Sequence, residues 1–133
     1  FFRYMRPLIE KGTNIVCDRY YLSNMAYNTT PRISMADIYA MNKPCIEAMK
    51  PDLFVFLDVP TEVTKARRDK NRADREIYDG DDKQARVRRN YLEAIEFLKA
   101  QGENVVVVDA SRGIDEVSED IKAQVFSALS IGK

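Results

Sequence analysis

Asp18 and Arg19 stand directly behind the apolar stretch Asn14-Ile15-Val16-Cys17. An acid at the end of a buried strand can hold a magnesium ion through water beside a triphosphate. A guanidinium fork at the start of the following helix suits a phosphate-bearing substrate. Taken alone, the aspartate would serve equally as a helix cap, and the two together as a surface ion pair. The next residues add aromatic rings, hydroxyls and an amide in quick succession: Tyr20, Tyr21, Ser23, Asn24 and Tyr27.

A second concentration of chemistry lies further on. Seven of the twelve arginines fall in one stretch, Arg67, Arg68, Arg72, Arg75, Arg86, Arg88 and Arg89. Arginine makes planar, multi-donor contacts with phosphate oxygens. Arg72 and Arg75 belong to a polar segment of about residues 70–83 that contains Gly80 and reads as a loop. Such a loop can close over a nucleotide and stabilise charge as a phosphoryl group moves, so a phosphate role is expected for this pair. Arg86, Arg88 and Arg89 fall on a regular helical pattern and are expected on a solvated face with Glu–Arg pairs. A third candidate is the turn Asp109-Ala110-Ser111-Arg112-Gly113, whose backbone could contact a base; an ordinary strand-to-helix turn fits it equally.

The elements around these residues follow from periodicity. Phe2, Met5 and Ile9 recur at helical spacing before Gly12, so Phe1–Lys11 reads as the end of a helix that starts before residue 1. Asn14–Cys17 reads as a short buried strand. Leu22, Ala26 and Tyr27 suit a helix beginning after Arg19 and broken at Thr29-Thr30-Pro31-Arg32. Ser34 with Asp37 is a capping box for the next helix, which Pro44 is expected to kink or split. Leu53–Val59 reads as a strand covered on both faces, followed by a helix with Thr61 as its cap. Val87, Tyr91, Ala94, Ile95 and Leu98 define a strong amphipathic helix ended by Gly102, Asn104–Asp109 a third strand, and Val117, Ile121, Val125 and Leu129 a last helix.

Helices alternating with apolar strands predict an α/β fold with a parallel sheet. Ligands bind such sheets outside the carboxyl ends of the strands, and Asp18, Asp58 and Asp109 are all expected on that edge. At 133 residues the chain has the length of one domain. Its 21 basic and 21 acidic residues balance, so no overall nucleic-acid-binding charge is present. No run reaches the length of a membrane span. With no histidine, histidine acid–base chemistry and His-ligated zinc are excluded. Cys17 and Cys45 lie in apolar surroundings without CxxC spacing and are expected as core thiols of a reducing compartment, the cytoplasm.

The stretch "DRYYLSNMAYN" resembles the thymidylate kinase pattern Asp-Arg-Tyr/Phe-x-x-Ser-x-x-Ala-Tyr. "KPDLFVFLDVP" follows at that family's usual distance. "RADREIYD" and "VRRNYLEA" are similar to its lid and following helix, "VVVVDASRGIDEV" to its last strand and base-contacting turn, and "RPLIEKG" to the segment ahead of the pattern. The resemblance covers essentially the whole chain in order.

It implies a P-loop NTPase-like, nucleoside monophosphate kinase fold of three layers, with γ-phosphoryl transfer from ATP to dTMP in the presence of magnesium (Mg2+). Asp18 would organise magnesium through water together with the acceptor phosphate, and Arg19 would hold the dTMP phosphate. Asn24 would lie near the thymine edge. Tyr27 would lie under the sugar and select deoxyribose, with Ser23 supporting that geometry rather than reacting. Arg72 and Arg75 would meet the ATP phosphates, and Arg67, Ser111 and Arg112 would stand on the adenine side. The family also pairs as a homodimer.

One part of the family pattern has no counterpart. The five glycines, at 12, 80, 102, 113 and 132, form no Gly-rich run ending in Gly-Lys-Ser/Thr. Residues 1–133 are therefore expected to be a single, partial domain: the C-terminal part of a longer kinase, inactive as a bare polypeptide. The alternatives are another deoxynucleoside or nucleoside monophosphate kinase of the same fold, or a non-catalytic remnant or interaction module if the chain is natively this short.

Overall fold

The computed structural model describes residues 2–71 and 81–131. Arg72, Arg75 and most of the expected loop lie outside the described residues. Eight elements follow one another along the described chain. They are α1 (Phe2–Glu10), α2 (Tyr21–Asn28), α3 (Met35–Ala48), β1 (Phe54–Asp58), α4 (Thr61–Asn71), α5 (Asp81–Ala100), β2 (Val105–Asp109) and α6 (Ile114–Ile131).

The two strands pair in parallel, with Phe54 opposite Val105 and Asp58 opposite Asp109. Asp58 and Asp109 thus stand in register at the carboxyl end of the sheet, on neighbouring strands about 4.8 Å apart. On one face of the sheet, Phe54 and Val105 join Tyr21, Leu22 and Met25 of α2, Ile38 and Ile46 of α3, and Ala94, Ile95 and Leu98 of α5 in a single core. Residues alternate between faces, so Val108, also buried, belongs to the other face, where α6 packs on β2. The observed architecture is α/β with a two-stranded parallel sheet.

Short-range signals set the helix ends. Ser34 and Asp37 form a full capping box on α3: Asp37 N–H donates to Ser34 Oγ (3.1 Å) and Ser34 N–H to Asp37 Oδ2 (3.0 Å). Gly12 and Gly102 close α1 and α5 with the same motif, at φ 80° and 81°. In α5, Gly102 N–H donates to Lys99 O and Glu103 N–H to Leu98 O, and the corresponding bonds follow α1.

Several expectations need correction. Asn14–Cys17 forms no strand; Val16 is 97% exposed and Cys17 is exposed too. A strand requires a neighbouring ladder, and no described residue offers one to this segment. Cys17 is therefore not a core thiol, while Cys45 is half-buried and both are free. β1 is covered unevenly, with Phe54 buried and Leu57 46% exposed. α3 runs through Pro44 as one helix to Ala48. Thr61 is the first residue of α4 rather than its cap. The Pro60 carbonyl accepts from Val63 and Thr64 N–H, while the Thr61 hydroxyl lies 3.3 Å from Glu62 Oε1. α5 begins at Asp81, earlier than expected. Among the described residues no helix is long and apolar enough to cross a membrane.

Candidate functional site

The site starts from a strained residue. Arg19 has φ 66°, the one positive φ of a non-glycine among the described residues. The left-handed conformation costs an L-residue about 1–2 kcal/mol. Cys17 Sγ lies 3.3 Å from the Arg19 carbonyl within the same turn. The turn carries the Arg19 guanidinium over the ring of Tyr27, 5.6 Å from its centroid, in cation–π range.

From Tyr27 a train of rings leads into the sheet. Tyr27 meets Tyr91 of α5 edge-on at 6.0 Å, and Tyr91 stacks on Phe56 of β1 at 4.9 Å. The Tyr91 hydroxyl is 2.8 Å from Ser23 Oγ. Ser23 and Tyr27 sit four residues apart on one face of α2, so a single face of that helix supplies both contacts. Burial pushes the Tyr91 phenol up, the Ser23 hydrogen bond opposes it, and the charges of Arg19 and Asp18 both act on it. Asp18 itself is exposed and accepts no hydrogen bond or ion pair from any described residue.

Asp58, at the end of β1, is held very differently. Arg88 of α5 grips it with both arms of its fork, Nε to Oδ1 and Nη2 to Oδ2, each at 2.8 Å. Tyr27, Phe56, Asp58, Arg88 and Tyr91 line one cleft of about 440 Å³ beside the carboxyl end of β1. Neither Arg88 nor Tyr91 is among the sequence candidates. The expectation of a solvated face for Arg88 is corrected here: it is an anchor between α5 and the sheet. Its position held the clue, since Arg88 stands two turns before buried Ile95 and so lies on the inward stripe of α5.

The turn after β2 gathers three other candidates. Arg67 Nη2 donates to the Ser111 carbonyl at 3.1 Å. Ser111 donates its N–H to Asp109 Oδ1 at 2.9 Å and its hydroxyl to the same oxygen at 2.5 Å. These bonds hold the Asp109 carboxyl below the usual range, the hydroxyl contributing most. Arg112 donates to the Asp109 carbonyl and pairs with Asp120 of α6, so its guanidinium is already engaged. Arg67, Ser111 and Arg112 are thus brought together at the turn after β2, the strand that pairs with β1.

Asn24 lies on the neighbouring face of α2, bonded to Asn42 of α3 and to Asn28. Tyr20 and Tyr21 serve packing. The Tyr20 hydroxyl lies within donating reach of two carbonyls at the end of α3, Cys45 O (3.1 Å) and Met49 O (3.3 Å), and Tyr21 is 1% exposed.

Among the described residues no three His, Cys, Asp or Glu side chains converge on a metal position. Magnesium commonly uses one or two carboxylates with water and substrate phosphates rather than an all-protein cage. The exposed, unpaired carboxylate of Asp18 fits that donor set, and the clamped one of Asp58 does not.

Fold and site define an α/β protein whose ligand-type residues collect at the carboxyl edge of a parallel sheet. The thymidylate kinase family model matches residues 1–121. A probable thymidylate kinase of Archaeoglobus fulgidus is 35% identical over 127 residues, covering 96% of this chain and 60% of the relative. The thymidylate kinase of Limosilactobacillus fermentum is 35% identical over 129 residues, covering 92% and 58%. A probable thymidylate kinase of Pyrococcus abyssi is 34% identical over 127 residues, covering 92% and 57%. The chain belongs to the thymidylate kinase family, and it spans 57–60% of the length of these relatives.

Proposed function

We propose that the gene product carrying this chain transfers the γ-phosphoryl group of ATP to dTMP, giving dTDP for dTTP synthesis. The observation that supports this best is the Asp18–Arg19 turn, poised over Tyr27 at the sheet edge in a chain of this family. In this reading Arg19 binds the dTMP phosphate with its charged fork. The strained turn holds that fork over Tyr27 before substrate arrives. Tyr27, buttressed by Tyr91 and through it by Ser23, lies under the deoxyribose. Its ring leaves no room for a 2′-hydroxyl. Asn24 reads the thymine edge.

On the donor side, Arg67, Ser111 and Arg112 border the adenine. Arg72 and Arg75 meet the ATP phosphates. Asp18 would hold magnesium through water, and the ion would supply charge neutralisation for the phosphates. Catalysis of this kind is chiefly positioning and charge stabilisation, so the residues above bind and orient rather than form bonds.

The proposal extends to a P-loop NTPase-like fold, a cytoplasmic homodimer, and small nucleotides rather than nucleic acid or membrane as partners. The bare 133-residue polypeptide is proposed to be inactive, because its sequence contains no Gly-Lys-Ser/Thr cradle for the donor phosphates. Robust dTDP formation by that polypeptide would refute this part. For the gene product, the test is an ATP- and magnesium-dependent assay over dTMP, dUMP, UMP, CMP and thymidine. The highest kcat/KM is expected for dTMP. A preference for thymidine, or no turnover of any monophosphate, would overturn the reading.

A further inference from the structure

Three asparagines on α2 and α3 form a chain whose direction the backbone dictates. An amide side chain can usually be turned over, exchanging its oxygen for its nitrogen, and only its partners decide which way it points. Here both ends of the chain are decided by carbonyls, which only accept. Asn42 Nδ2 donates to the Ile38 carbonyl at 2.7 Å, so Asn42 Oδ1 must face away from it. That oxygen accepts from Asn24 Nδ2 at 3.1 Å. At the other end, Asn28 Nδ2 donates to the Asn24 carbonyl at 3.0 Å and to Asn24 Oδ1 at 2.5 Å. Turning Asn24 over would set its NH₂ against the NH₂ of Asn28 and its oxygen against the oxygen of Asn42.

We infer that Asn28 and Asn42 are positioning residues that lock the amide polarity of Asn24 and so make it a one-way reader of pyrimidine edges. This rests on the reading of Asn24 as the residue facing the base. Each Asn24 amide group keeps one valence free, one N–H on Nδ2 and one lone pair on Oδ1. A 4-keto pyrimidine offers the matching C4=O acceptor and N3–H donor. A 4-amino pyrimidine offers the reverse, an NH₂ donor and an N3 acceptor, and would be accommodated only by an Asn24 turned over. The locked orientation therefore rejects cytosine through the second layer of side chains, without any contact between Asn28 or Asn42 and the ligand. Asn24 and Asn28 are exposed, so water competes for these bonds and the lock is of modest strength.

The test measures kcat/KM for dTMP and dCMP in the gene product and in its Asn28→Ala, Asn42→Ala and Asn42→Asp variants. Alanine is well tolerated on a helix surface, and melting temperatures identify any variant that fails to fold. The dTMP/dCMP ratio is expected to fall about threefold in each alanine variant and about tenfold in the double variant, mainly through a gain on dCMP. Asn42→Asp loses the donation to the Ile38 carbonyl but presents only oxygens to Asn24 Nδ2, so its ratio is expected to lie above that of Asn42→Ala. An unchanged ratio in folded alanine variants overturns the inference and leaves the proposed function standing. A wild-type protein that phosphorylates neither nucleotide overturns the functional reading, and this inference with it.

Discussion

Two aspartates were expected on the same edge for the same reason, and the structure treats them in opposite ways. Asp58 ends a hydrogen-bonded strand, lies at the cleft wall and has both oxygens taken by Arg88. Asp18 sits in an irregular exposed turn with no described partner, beside an arginine held in a strained conformation. A carboxylate with both oxygens gripped by a guanidinium fixes structure. One whose lone pairs are free can meet a cation or a substrate. Placement at a strand's end is therefore not enough to assign a role; the partners decide it.

The largest expected effect breaks the free member. Asp18→Asn removes the charge while keeping the shape, and should lower kcat for dTMP phosphorylation by about 10²-fold or more, with melting temperature nearly unchanged. Steady-state kinetics and a thermal melt on the same preparations check both halves.

The clamped member should respond in stability. Arg88→Met leaves Asp58 without its fork in a half-buried place. The side chains are 36% and 20% exposed, so the cost should be about 1–3 kcal/mol, between the surface and fully buried cases. Urea unfolding gives the value. Equal stability would show that the clamp contributes nothing to the fold.

A pH series sharpens the contrast between the core and the edge. Burial and the nearby Glu103 carboxylate push the Tyr21 phenol well above its ordinary 10.0. A folded pKa above the unfolded one contributes stability that is fully present below pH 10 and lost as pH rises toward the folded value. Unfolding free energy should therefore fall between about pH 10 and 11, and Tyr21→Phe should flatten the fall. Asp109 has the opposite sign. Its lowered pKa contributes stability present above the usual carboxylate range and lost as pH drops below it. The smallest effect is expected from Ser34→Ala, which removes half of the α3 capping box and should cost about 1 kcal/mol.

Much of this was legible in the sequence, and the misses have physical causes. Leu53–Val59 could be read as a strand because the apolar run is bracketed by Pro51 and Pro60, and the structure forms it at Phe54–Asp58. Asn14–Cys17 carries a similar apolar pattern but only as half of a ladder, and a sequence segment does not state whether its partner is beside it. The capping box of α3 and the glycine stops of α1 and α5 are local and were visible as such.

The Arg67–Ser111 contact spans 44 positions, yet both residues were singled out by type and place. Arg88 reads as a surface residue by its charge, although its phase with Ile95 points inward. Asn28 and Asn42 gave no signal at all. Their importance lies in which way an amide points, and that is fixed by carbonyls on two different helices.

The division of labour between the two aspartates can be tested directly by titrating magnesium into the dTMP phosphorylation assay for wild type, Asp18→Asn and Asp58→Asn, with a melting temperature for each. The predicted result is a large rise in the magnesium concentration needed for half-maximal rate in Asp18→Asn alone, and a lowered melting temperature in Asp58→Asn alone. A magnesium requirement shifted by Asp58→Asn and untouched by Asp18→Asn would contradict it.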